Sequence, residues 1–146
     1  MITRPQGQYV ITGATGLMGS FALLRLSRET DIKVRAVWHE KEPWIFSENI
    51  EYVRADLTRS EDAQRVVQNM EYLLMFAGEL STAAVISKNP VRPVMESLKI
   101  NVNVLEAAHE AGIKKCLWLS SHTGYPQHQG PLSEEDFFKE EPAEIH

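Results

Sequence analysis

A single cysteine, Cys116, stands among the 146 residues, so no internal disulfide can close, and no Cys-x-x-Cys pair offers a metal or redox centre. Such a chain suits a reducing compartment, and a cytoplasmic location is expected. There is no Lys/Arg-rich run and the formal charge is -5. Both argue against nucleic acid or an anionic membrane surface as the main partner and leave a small molecule. No apolar run reaches the length of a membrane span, and the first eight residues hold no signal-type apolar core, so a soluble protein is expected. The histidines at 39, 109, 122, 128 and 146 show no ligand spacing with acids or with the cysteine, so no metal is expected. With 43% hydrophobic residues, the chain has enough apolar material for one domain with a substantial core.

What is present is concentrated near the N-terminus. Tyr9-Val10-Ile11-Thr12 is a short apolar run feeding Gly13-Ala14-Thr15-Gly16-Leu17-Met18-Gly19, after which Leu17, Phe21 and Leu24 recur at helical spacing to about Arg28. Glycines at 13, 16 and 19 let a backbone turn tightly, approach a pyrophosphate closely and pack a helix against a strand. The N–H groups around Ala14 to Met18, at a helix N-terminus, suit an anion. Gly13, Thr15, Gly16, Leu17, Met18 and Gly19 are therefore candidate dinucleotide-binding residues, although the same pattern also serves a tight turn that binds nothing.

Strands are expected at 8–12, 33–38, about 50–54, 72–78 and 114–120. Thr58-Arg59-Ser60-Glu61 has the spacing of a capping box, and Ala63, Val66, Val67 and Met70 follow at helical intervals. Beyond Pro93, the residues Val94, Leu98, Val102 and Leu105 mark a long helix that Gly112 can cap. After Ser121 the chain reads as loop, with at most a short helix from Ser133. Strands alternating with helices imply an α/β protein, a Rossmann-type doubly wound parallel sheet of order 3-2-1-4-5, whose ligand sits outside the carboxyl ends of the strands.

Five segments then resemble, in order and spacing, the extended short-chain dehydrogenase/reductases, the NAD-dependent epimerase/dehydratase family, with a GDP-fucose synthase-like branch as the nearest in character. They are Thr12 to Gly19, Ala55-Asp56-Leu57, Ala77-Gly78, Asn103 to Ala108, and Leu119-Ser120-Ser121 followed by Gly124-Tyr125-Pro126. Ser97, Ile100 and Asn101 depart from the family's usual Asn, Gly and Thr. The resemblance implies that Asp56 and Leu57 contact adenine, that Phe76, Ala77 and Gly78 line the ribose and nicotinamide side, and that Ser121 is catalytic through a hydrogen bond to the reacting oxygen. On the residues alone, Asp56 is equally a strand-end turn or capping residue, and Ser121 a loop serine.

The resemblance further implies hydride transfer on a nucleotide-sugar substrate, with homodimerisation a family expectation. The cofactor depends on the end of the second strand, where an acid grips ribose hydroxyls in NAD enzymes and bases accommodate the extra phosphate in NADP enzymes. His39 and Lys41 favour NADP, and Glu40 favours the alternative, NAD. The family's acid/base, Tyr-x-x-x-Lys, is absent: Tyr125 is followed by Pro-Gln-His-Gln. Residues 1–146 are thus expected to be an incomplete NAD(P)-binding Rossmann domain without its substrate domain. The competing reading is a non-catalytic NmrA-like NAD(P)-binding sensor or regulator.

Overall fold

The computed structural model describes residues 6–79, 89, 91–120, 124–126, 130–137 and 139. Five strands, β1 (Gly7–Thr12), β2 (Ile32–Trp38), β3 (Ile50–Arg54), β4 (Tyr72–Met75) and β5 (Lys115–Trp118), form one sheet. All four neighbouring pairs are parallel and the order is β3-β2-β1-β4-β5. Among the described residues three α-helices accompany them, α1 (Leu17–Leu26), α2 (Ser60–Val67) and α3 (Val91–Glu110), and the short helix expected from Ser133 is a 3-10 turn over Glu134–Asp136. The doubly wound α/β arrangement expected from the alternation is present, with its reversal of strand order at β1 and β4.

The sheet separates two buried clusters. On one face Val10, Val37, Leu73 and Met75 meet Ala63, Val66 and Val67 of α2 and Val104, Ala107 and Ala108 of α3. On the other, Tyr9, Ile11, Val34 and Ala36 meet Leu23 of α1 and Ile45 of the β2–β3 connection. That connection carries no helix. It is tied instead to the end of α1, where Asn49 Nδ2 donates to the Leu26 and Glu29 carbonyls and Ser47 Oγ to Ser27.

Of the two apolar stripes expected to define helix faces, that of α3 lies outward and that of α1 does so only in part. Leu17 and Phe21 are exposed, Leu24 is half-buried against the core, and α1 buries Gly19, Ser20 and Leu23. Val94, Leu98, Val102 and Leu105 are also exposed, whereas α3 turns Pro93, Val104, Ala107 and Ala108 inward. Small side chains let α3 approach the sheet and α2 closely, which the larger stripe would prevent. Pro93 is the third residue of α3, where a missing N–H breaks no intrahelical bond. Gly112, at φ +71, ends α3 in the left-handed conformation expected of a C-terminal glycine. The side chains of β5 are exposed on both faces. Among the described residues no helix is long and apolar enough to cross a membrane.

Candidate functional site

The carboxyl ends of the strands are joined by backbone hydrogen bonds that fix their loops relative to one another. Ala14 N–H donates to Val37 O at 3.0 Å, Ala55 N–H to Trp38 O at 2.9 Å, and Phe76 N–H to Thr12 O at 3.2 Å. The fully buried Thr12 hydroxyl accepts from Ala77 N–H at 3.3 Å, so the last residue of β1 holds the loop after β4. Four strand ends thereby make one rigid rim.

Within that rim the glycine turn is shaped by its own packing. Gly13 has φ +67, a left-handed backbone, and a Cβ there would lie 2.8 Å from the Ala77 nitrogen and the Phe76 carbonyl. A Cβ on Gly19 would lie 2.1 Å from Gly13 O, whereas one on Gly16 would meet only that same oxygen, at 3.2 Å. Gly16 is the N-cap of α1, with extended backbone and no side-chain cap, and there is no acid in the first turn. The first amides of α1 therefore keep unpaired N–H groups, the condition under which a helix N-terminus accepts an anion. A pyrophosphate fits that cradle.

The Asp56 turn is built by three further contacts. Asp56 Oδ1 accepts from the Thr58 amide at 3.0 Å and from the Thr58 hydroxyl at 2.7 Å, while Asp56 N–H donates to Asp62 Oδ2 at 2.8 Å. The Thr58 hydroxyl is the main cause that holds the Asp56 carboxyl below the usual carboxylate range. Asp62 is held low as well, first by its bond from Arg65. From the opposite side Asn103 of α3 donates to Leu57 O at 3.1 Å. The capping box expected at Thr58 and Glu61 is not formed: α2 begins at Ser60 with Arg59 as an N-cap that makes no side-chain cap bond. The Thr58 hydroxyl is committed to Asp56 instead.

A cleft of about 610 Å³ runs along the rim. It brings together Gly13, Thr15, Gly16, His39, Asp56, Leu57, Phe76, Ala77 and Gly78 from four separate loops. Leu17 and Met18 lie outside its lining, exposed at the start of α1, and Gly19 is buried beneath the turn. Lys41 is exposed and does not line it, while Glu40 does. Ser121 lies outside the described residues. Trp38, Thr58, Glu79, Arg92, Glu96 and Ile100 also line the cleft, and none of them was expected as a site residue. Arg92 and Glu96 form an ion pair on the first turns of α3, with Nε to Oε1 at 2.8 Å, and the Ser97 hydroxyl accepts from Glu79 N–H.

A larger groove, about 760 Å³, lies at the amino ends of β1 to β3 between Arg28, Lys33, Asn49 and Glu51, and it shares no residue with the cleft. Position at the carboxyl ends of the strands, rather than volume, singles out the candidate site. Among the described residues no group of three or more His, Cys, Asp and Glu could hold a metal ion.

Comparison with known proteins agrees with this geometry. The chain is 26% identical over 144 residues to a GDP-mannose 3,5-epimerase 1 of Oryza sativa subsp. indica, which covers 93% of this chain and 38% of the plant protein. Its fold is similar to a UDP-N-acetylglucosamine 4-epimerase from Methanobrevibacter ruminantium M1, solved with UDP-N-acetylmuramic acid. That match has a TM-score of 0.75 at 21% identity over 91% of this chain and 44% of the other. A uronate dehydrogenase from Agrobacterium tumefaciens, solved with NAD, gives a TM-score of 0.69 at 20% identity over 84% and 43%. The chain thus spans well under half the length of these relatives. Residues 9–144 match the NAD dependent epimerase/dehydratase family, and the chain belongs to that family.

Proposed function

We propose that residues 1–146 form the nicotinamide-dinucleotide-binding part of an enzyme that epimerises, dehydrates or reduces a nucleotide-linked sugar by hydride transfer. The observation that carries this reading is the single cleft joining the glycine turn, the end of β2, the Asp56-Leu57 turn and Phe76 to Gly78. Each part suits one portion of a dinucleotide. The uncapped amides of α1 face the pyrophosphate, Asp56 keeps an ionised carboxylate for the adenine amino group, and the small Ala77 and Gly78 leave room for the nicotinamide ribose.

The bound cofactor supplies the hydride acceptor and donor at its nicotinamide ring. This chain's own residues bind and orient it, with Ser121 assigned to hydrogen-bond the reacting oxygen of the sugar. Proton transfer at that oxygen needs an acid/base, and no Tyr-x-x-x-Lys stands in these 146 residues to supply one. The nucleotide-sugar class is supported by the plant and archaeal relatives, which are epimerases of GDP-mannose and UDP-N-acetylglucosamine.

Titration with NADH and NADPH, followed by nicotinamide fluorescence, should give saturable one-to-one binding displaced by the oxidised dinucleotide. A folded chain that binds neither would overturn the reading. In the full-length protein, a matching nucleotide sugar should change nicotinamide absorbance in a single turnover. Cofactor binding with no such change for any nucleotide sugar would move the assignment to a non-catalytic dinucleotide sensor.

A further inference from the structure

At the edge of the sheet, beside the cleft, lies a pocket of about 400 Å³ lined by His39, Arg54, Ala55, Asp56, Arg59, Glu61 and Asp62. His39, Ala55 and Asp56 line both spaces, so the second pocket adjoins the cleft near the end of β2. In a doubly wound sheet that corner lies beside the adenosine ribose, where the dinucleotides differ by one phosphate. Three basic residues and three acids surround the pocket, and their existing bonds decide what they can still do.

Arg54 is already committed. Its Nε donates to the His39 carbonyl at 3.1 Å, and its guanidinium lies 5.4 Å from the Trp38 ring centroid. Asp56 Oδ1 is committed to the Thr58 amide and hydroxyl, and the Asp62 carboxylate to the Asp56 amide and Arg65. Arg59 differs from all of these. It is exposed on the N-cap of α2 and, among the described residues, its guanidinium makes no hydrogen bond or ion pair. Its charge is felt by Asp62 across the pocket but remains free for a ligand. Lys41 lines neither space.

We propose that Arg59, with His39 at the shared corner, binds the 2′-phosphate of NADP, and that Lys41 does not. This deepens the dinucleotide reading above and rests on it. A guanidinium presents paired N–H donors that match phosphate oxygens, and Arg54, fixed over Trp38, adds positive charge without having to move. Glu61 is the opposing element: its exposed carboxylate lines the same pocket and repels a phosphate dianion.

The test is titration of the protein and of Arg59→Gln, Lys41→Gln and Glu61→Gln variants with NADPH and NADH, read by tryptophan quenching and checked by circular dichroism for folding. The expected result is at least about a tenfold preference for NADPH, equivalent to ~1.4 kcal/mol. Arg59→Gln should abolish that preference by weakening NADPH much more than NADH, and Glu61→Gln should tighten NADPH. Equal affinities in the unaltered protein, equal weakening of both ligands in Arg59→Gln, or loss of the preference in Lys41→Gln instead would overturn the assignment while leaving the dinucleotide site standing. Binding of neither ligand by folded protein would overturn both.

Discussion

A Cβ on Gly19 would sit 2.1 Å from the carbonyl oxygen of Gly13, closer than any side chain can approach backbone. The third glycine of the turn is therefore fixed by packing between α1 and the end of β1, independently of any ligand. Gly19→Ala should destabilise the fold by about 1–3 kcal/mol, as overpacking against backbone does. Gly78→Ala, where a Cβ would meet nothing within 4 Å, should stay within about 0.5 kcal/mol of the unaltered protein. Urea unfolding of both variants checks the contrast, and equal midpoints would refute it.

Gly16 separates binding from folding. A side chain there would meet only Gly13 O, at 3.2 Å, and would otherwise stand over the amides that open the helix. Gly16→Val should weaken dinucleotide binding about a hundredfold, ~2.8 kcal/mol, while the variant keeps its sheet by circular dichroism. Unchanged affinity in a folded variant would remove the pyrophosphate assignment.

Thr12 is the buried link between β1 and the loop after β4, through its bond from Ala77 N–H. Thr12→Val keeps the shape but leaves that amide without its acceptor, which costs about 1–3 kcal/mol for a buried group. Thr12→Ser keeps the hydroxyl and should lose less. A valine variant as stable as the serine variant, measured by thermal unfolding, would show that the Ala77 amide finds another partner.

Much of this was readable in the sequence because the relevant signals are local. The glycine spacing, the apolar runs and the strand at Ile50 to Arg54 depend on neighbouring residues, and alternation with right-handed crossovers constrained the strand order. Helix orientation was less legible. Periodicity finds an apolar stripe but cannot say whether it faces the core, and α3 carries two of them: Val94, Leu98, Val102 and Leu105 outward, Val104, Ala107 and Ala108 inward. The start of α2 was displaced because Thr58 has two uses for its hydroxyl, and a bond to Asp56 won over a cap. Arg92 and Glu96, which line the cleft from the first turns of α3, are placed by how that helix packs, which no short motif records.

The competition at Thr58 gives a pH dependence with a definite sign. Asp56 titrates below its ordinary value, first because the Thr58 hydroxyl bonds its ionised form. A depressed carboxyl stabilises the fold fully above its unfolded pKa, roughly 3.9 for an aspartate. That contribution is lost as pH falls through the lower, folded value. Thr58→Val removes the hydroxyl but keeps the amide donor, so Asp56 should shift upward in a carboxyl-carbon NMR titration. The stability gap between the unaltered protein and the variant should be widest near neutral pH and close progressively once the pH drops below the unfolded value. Asp62, held low by Arg65, is untouched by the substitution, so both proteins should still lose stability in acid. Urea unfolding across a pH series reads the gap directly. A gap that stays constant down to the lowest pH would mean that the Thr58 hydroxyl stabilises the turn through packing rather than through the charge on Asp56.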